Sequence, residues 1–171
     1  KVNELDLQTL DTSNLYLHQI PIKSDIYIKN RYIDHPVYTY DVYAIMEDGR
    51  LMALCVFRPI LHEGVMVLRF VDFMGPNEVF CMLSDFIFSI LEEYNAEYLD
   101  LYSHGIPLEI LMQAGFINRN SVQGLIIPNY FEPFEQKNIN LAFGYKTSLS
   151  QTPVRLFKGD GDQDRPNYIP N

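Results

Sequence analysis

The sequence predicts an α/β (α+β) domain: a mixed sheet that begins as an antiparallel meander and carries helices on both faces. Three observations lead there. Two runs of aromatic and β-branched residues flank Glu47-Asp48-Gly49-Arg50, a turn with Asp-Gly at its centre. A long segment after Gly75-Pro76 repeats apolar residues at spacings of three and four. Leu99-Asp100-Leu101-Tyr102, a short helical segment and Ala114-Gly115-Phe116 then follow in order. Strands followed by alternating helix and strand describe a sheet covered by helices.

The elements follow in chain order. Val2 to Leu10 reads as a short helix in an otherwise mixed N-terminal stretch. Asp25 to Ile33 is helical, with Ser24 as N-cap, and His35-Pro36 stops it because the residue before proline avoids the helical region. Val37 to Met46 and Leu51 to Arg58 form the hairpin. Pro59 to Gly64 reads as a second turn, and Val65 to Phe73 as a third strand. Glu78 to Tyr94 is the long helix, with Asn77 as cap. Ala96 to Tyr102 is a strand, and Leu108 to Ala114 a helix opened by Pro107 and ended by Gly115. Ser121 to Ile127 and Ile139 to Lys146 are two further strand candidates. The organisation expected is an N-terminal helical segment, 1–36, a core, 37–150, and an irregular polar tail, 151–171.

Composition narrows the function. The chain of 171 residues has 13 Lys+Arg and 22 Asp+Glu, a net charge of −9. A chain this long hides about 70% of its unfolded surface without a metal or disulfide. The acidic balance argues against nucleic acid and against anionic membrane surfaces. The longest stretch without a charge, Asn120 to Phe131, is twelve residues, short of the roughly 20 that span a bilayer. No signal peptide is visible, and a start at Lys1 is that of a fragment or a processed product. Cys55 and Cys81 both lie in apolar runs and read as buried free thiols of a cytoplasmic protein. No Cys or His pair has ligand spacing, so no metal is expected.

This order of elements, from Val37 to Lys146, resembles the Gcn5-related N-acetyltransferase (GNAT) superfamily. The tail Lys158 to Asn167, with Arg31-Tyr32 and His35-Pro36, is similar to the C-terminal half of acetyltransferase-like proteins encoded with bacterial cell-surface polysaccharide biosynthesis. The resemblance implies acetyl-CoA or another acyl-CoA as cofactor, held by backbone N–H groups near Met74, Gly75 and Asn77, where the third strand meets the long helix. It implies a small-molecule or sugar substrate bearing an amine, and a further N-terminal domain as partner. The loop departs from the family pattern. It has one glycine, Pro76 lacks an N–H, and Glu78 adds a negative charge. From Phe70 to Asn118 there is no Lys or Arg against eight acids; like charges close to a polyanion cost about 1 kcal/mol each even in water-like dielectric, unless Arg119, Lys146 or Arg155 folds to the end of the third strand, which would support coenzyme binding. Leu111 stands where many members place a tyrosine acid.

The residues offer candidates for chemistry. Strict alternation turns Asp72 the way of Leu68 and Phe70, where a half-buried carboxylate is a base for an acceptor amine; the other reading is a cap or an outward strand end. Ser103 and His104, after a parallel strand, could donate a hydrogen bond and shuttle a proton, or be a cap and a loop residue. Arg31 and His35 could grip an anionic or sugar substrate, or Arg31 could pair with Asp34 or Asp25. Asp162, Asp164 and Arg165 would join them as a tail folded over the pocket. An EF-hand through Asp160, Asp162 and Asp164 fails, because Arg165 and Asn171 stand where Gly and Glu are required. Tyr27, Tyr32, Tyr38, Tyr40 and Tyr43 are either a carbohydrate platform or core. Two functions remain open: a divergent acyltransferase acting on the amine of a nucleotide-linked sugar, and a non-catalytic binding or assembly module of the same fold that has lost its acyl-CoA site.

Overall fold

A computed structural model describes residues 1–13, 15, 19–128, 136–148 and 152–161. Its centre is a four-stranded sheet of β1 (Asp41–Glu47), β2 (Arg50–His62), β3 (Val65–Met74) and β4 (Tyr98–Leu101), in that order. The first three strands are an antiparallel meander, and β4 lies parallel to β3. Parallel pairing needs a crossover, and the helices α3 (Asn77–Phe80) and α4 (Ser84–Tyr94) supply it. The mixed sheet, the meander and helices on both faces agree with the sequence reading.

The β1–β2 turn forms where Asp-Gly predicts it. Asp48 and Gly49 both take positive φ, 48° and 77°, which suits the right-handed twist of a tight hairpin. The second turn differs from expectation. Strand β2 runs through Pro59, and the chain turns at Glu63 and Gly64 instead. Pairing with β1 ends at Asp41 opposite Phe57. Beyond that point β2 has one strand neighbour among the described residues, and such an edge tolerates proline.

One face of the sheet carries Tyr43, Cys55, Phe57, Leu68, Phe70 and Phe73 against α3, α4 and α5 (Leu108–Gln113). Phe70 stacks on Phe57 at 4.6 Å and on Phe80 at 5.7 Å. The expected long helix is two helices. Met82 and Leu83 bond back to the carbonyls of Val79 and Phe80, three residues earlier, and that tightening separates α3 from α4. It keeps Val79, Phe80 and Leu83 in the core and leaves Met82 outside. Asn77 is the first residue of α3 rather than its cap. Cys55 is buried as expected, but Cys81 is only half-buried.

The other face is covered by α1 (Glu4–Thr9) and by α2 (Asp25–Ile28), which continues as a wider π turn over Lys29–Ile33. Ser24 caps α2 by accepting from the Tyr27 N–H. Leu7, Leu15, Ile28, Tyr32 and Tyr40 pack on Val42, Leu54, Val56, Val71 and Met74.

Two expectations fail towards the C-terminus. Neither Ser121–Ile127 nor Ile139–Lys146 is a strand. Three of their backbone groups are met by side chains: Asn138 bonds the Ile127 N–H and the Leu125 carbonyl, and Arg119 bonds the Ile139 carbonyl. The tail is not irregular where it is described. Strand β6 (Leu156–Phe157) pairs with β5 (Ser103–His104), a single 3-10 turn follows at Lys158–Asp160, and Arg155, Phe157 and Lys158 are buried.

Candidate functional site

Asp72 is enclosed, at 0% exposure, but it does not face the way strict alternation predicts. The β2–β3 register runs from Phe57 opposite Phe70 to Val56 opposite Asp72, so Val71 is an extra residue. This bulge rotates the strand end. Asp72 therefore shares a face with Val56 and meets α2 and its π turn, opposite the face of Leu68 and Phe70.

The carboxylate is held from several sides. Tyr32 donates its hydroxyl to Oδ2 at 2.6 Å, and the Phe73 N–H donates to Oδ1 at 2.8 Å. The Lys23 ammonium donates to Oδ1 and forms an ion pair there. Lys23, 1% exposed, also reaches Asp160, with Nζ at 3.0 Å from Oδ1 and 3.2 Å from Oδ2. Asp160 Oδ2 accepts the Phe157 N–H at 2.8 Å. The Phe157 ring centre lies 5.5 Å from Nζ, so an aromatic face completes the ammonium's surroundings.

The segment 155–160 thus folds back as a strap across the end of β3. Gly159 is needed for the approach: a Cβ there would stand 2.2 Å from the Tyr32 hydroxyl. The Gly159 carbonyl accepts from Tyr27 and from Arg31, each at 3.4 Å. Ile20 bonds to both sides of Val154, so the strap is tied to the segment before Lys23.

Two carboxylates share one ammonium, and protonation reflects it. Burial opposes the charge on Lys23, but Asp72 and Asp160 outweigh it and raise the ammonium above its ordinary 10.5. Burial and the charge of Asp72 raise Asp160 above 3.8 against the pull of Lys23. Burial, then Asp72, hold the Tyr32 hydroxyl protonated far above its usual range, as a hydrogen-bond donor to a carboxylate requires. The cluster is saturated: Asp72 has a proton donor on each oxygen and no exposed surface. In this arrangement it is not open to a substrate amine.

The loop expected to hold acyl-CoA offers little to it. Met74 is buried in the core. The Gly75 carbonyl accepts from Arg155 Nη1 at 2.7 Å, and a Cβ on Gly75 would meet that of Ala53 at 2.7 Å. Asn77 Oδ1 is buried without a hydrogen-bond partner among the described residues. Glu78 is exposed in the first turn of α3. Arg155, 6% exposed, is the cation here, and burial lowers its pKa against the counter-effect of Glu78. One enclosed guanidinium beside an exposed carboxylate does not fit a coenzyme with several phosphate charges.

The other predicted residues fall into two places. Arg31 joins the strap through Gly159 and donates to the Tyr40 hydroxyl at 3.3 Å. Of its expected partners, Asp34 bonds Lys29 and Asp25 accepts from Thr12. His35 Nδ1 accepts the N–H groups of Val37 and Tyr38, and its ring stacks on Tyr38, whose ring centre is 3.4 Å from the Arg58 guanidinium carbon. Tyr27, Tyr32, Tyr38 and Tyr40 make one aromatic chain; Tyr43 lies on the opposite face against Phe57 and Phe86. Ser103 and His104 are exposed on β5, with His104 against Phe143 and Tyr145, and β5 meets the strap through its pairing with Leu156–Phe157. Asp162, Asp164 and Arg165 lie outside the described residues.

Sequence reading gave Lys23 no role and met Asp160 only in the tail motif and the calcium pattern. It also missed a second buried pair, in which Arg69 Nε and Nη2 bond Asp100 at 3.0 and 2.8 Å across β3 and β4. The available signal was a charge inside an otherwise apolar strand, as in Leu99-Asp100-Leu101.

No family model matches this chain, and neither the curated proteins nor the solved structures compared with it give a match. Among the described residues no helix is long and apolar enough to cross a membrane, and no group of three His, Cys, Asp or Glu could hold a metal ion.

Proposed function

We propose that this chain is a non-catalytic, GNAT-like binding or assembly module whose acyl-CoA site is closed, serving beside a further domain in surface polysaccharide biosynthesis. The observation that carries the reading is the strap. Residues 155–160 engage the Gly75 carbonyl through Arg155 and seal Asp72 through Lys23 and Asp160. A base closed off by residues of its own chain, beside a loop whose Gly75 carbonyl is held by Arg155, serves cohesion rather than turnover.

A second reading is favoured by one specific contact. Arg155 brings a cation to the end of β3, where the stretch from Phe70 to Asn118 has none. A divergent acyltransferase would turn this guanidinium from the Gly75 carbonyl to a phosphate, and Asp72 would act as base on a sugar amine once Lys23 and Asp160 moved off it.

Isothermal titration of the chain with acetyl-CoA, with desulfo-CoA as control, separates the two. The module reading expects no saturable heat and no thermal shift at millimolar ligand. Saturable micromolar binding, lost in Arg155→Ala, would overturn it in favour of the acyltransferase.

A further inference from the structure

Two buried arginines are met differently. Arg69 lays its Nε–Nη2 edge along both oxygens of Asp100, at 3.0 and 2.8 Å. Arg155 places Nη1 on the Gly75 carbonyl at 2.7 Å. Its Nε is buried and has no hydrogen-bond partner among the described residues. The carboxylate whose charge reaches it, that of Glu78, is exposed on α3. A buried charge is stable when an opposite charge and hydrogen bonds both meet it. Arg69 has both; Arg155 has a neutral carbonyl.

A second unmet group enters from the neighbouring segment. Gln19 is 1% exposed, and neither its Oε1 nor its Nε2 has a partner among the described residues. Ile20 lies opposite Val154 in a parallel bridge. Its N–H donates to the Pro153 carbonyl and its carbonyl accepts the Arg155 N–H, both at 2.9 Å. Residues on either side of such a bridge turn their side chains to the face opposite the bridging pair. Gln19 and Arg155 therefore share a face. Their burial agrees, since Ile20 and Val154 are only half-buried. Asn77 stands two residues beyond the Gly75 carbonyl that Arg155 holds, and its Oδ1 is the third buried group without a partner.

Buried polar groups are nearly always hydrogen-bonded. Here two donors, Arg155 Nε and Gln19 Nε2, and two acceptors, Gln19 Oε1 and Asn77 Oδ1, are left over at the end of β3. We propose that Arg155, Gln19 and Asn77 bind a small carboxylate that carries a hydroxyl or ammonium group beside its carboxyl. The carboxylate lies along the Nε edge of Arg155, as Asp100 lies along Arg69, and accepts from Gln19 Nε2. The neighbouring hydroxyl or ammonium donates to Gln19 Oε1 and Asn77 Oδ1. A single guanidinium balances a single carboxylate charge. The inference rests on the binding-module reading and names its ligand.

The test titrates the full chain with sodium lactate, glycine and sodium acetate at constant ionic strength, read by melting temperature and amide NMR shifts. Saturable binding of lactate or glycine is expected, with shifts at residues 19–20, 75–77 and 154–155. At saturation the melting temperature should rise by about 2 °C or more. The tighter of the two tells whether the donor is hydroxyl or ammonium, and acetate, which has neither, should bind about tenfold more weakly. Gln19→Leu should abolish the ligand-induced rise without lowering the ligand-free melting temperature, because it removes two unmet polar atoms. Gln19→Glu supplies a carboxylate from within the chain; it should melt higher than wild type and exclude the added acids. Failure of all three acids at tens of millimolar, which leaves these groups to water, would overturn the proposal. So would acetate binding as tightly as the others, shifts elsewhere, or a Gln19→Glu chain that melts lower and still binds. Acetyl-CoA is titrated into the same sample. Failure of the acids without coenzyme binding sinks this inference alone, and saturable coenzyme binding sinks the module reading beneath it.

Discussion

Strand β3 sends Phe70 and Phe73 to one face of the sheet and Asp72 to the other, and the two faces are held by different physics. On the first, Phe57, Phe70, Phe73 and Phe80 lie ring against ring beneath α3 and α4. Stability there follows the area removed from water and is nearly indifferent to pH. On the second, Lys23, Asp72, Asp160 and Tyr32 are joined by ion pairs and a hydrogen bond in a closed cluster. There the desolvation penalty of each charge is offset only while every partner is present. One face tolerates gradual change; the other is all-or-none.

Breaking each face by one residue should cost about the same and leave different signatures. Phe70→Ala should lose about 3–5 kcal/mol through its cavity, equally across pH. Asp72→Ala should also lose about 3–5 kcal/mol, because it leaves a buried ammonium with one carboxylate instead of two and the Tyr32 hydroxyl without its acceptor, and this loss should shrink in alkali as the ammonium sheds its proton. Urea unfolding at two pH values measures both. Parallel pH profiles for the two variants would remove the contrast.

Next in size is the strap. Gly159→Ala forces a methyl into the Tyr32 hydroxyl and should destabilise by about 1–3 kcal/mol. Hydrogen exchange should then rise at Phe157 and around Tyr32 while the Phe70 stack keeps its protection. Uniform loss of protection would mean that the two faces unfold as one.

The pH profile sharpens the same point with a smaller effect. Asp160 has a raised folded pKa, so its contribution is complete below its ordinary 3.8 and is lost as pH climbs through the raised value. Asp160→Asn should flatten that part of the curve. Lys23 is also raised, so its contribution is complete below 10.5 and is lost only in stronger alkali. Melting temperatures from about pH 3 to about pH 12 would show both limbs; a wild-type curve that matches Asp160→Asn throughout would refute the first. The smallest effect belongs to neither face. Gly49→Ala, at φ 77° with open space around it, should cost about 1 kcal/mol of backbone strain alone.

The sequence carried the meander, the turn at Asp48-Gly49, the cap at Ser24 and the parallel strand, because each depends on residues near one another in the chain. It misplaced what depended on neighbours. Pro59 reads as a turn until β1 is seen to end before it, and Asp72 reads as facing Phe70 until Val71 is seen to be an extra residue. Ser121–Ile127 has strand composition but, among the described residues, no strand beside it.

The site divides in the same way. Arg31, Asp72 and the glycine-rich tail were legible as polar residues in unusual settings, and tertiary structure does bring Asp72, Arg31 and the Gly159 turn together. The carbonyl acceptor at Gly75, the burial of Lys23 and the shared ammonium were not legible, since Lys23, Asp72 and Asp160 stand 49 and 88 residues apart in sequence order. Local propensity and periodicity are properties of short segments and can be read from the chain itself. Which distant residues close over a carboxylate such as Asp72 depends on long-range packing, and that only the folded structure decided.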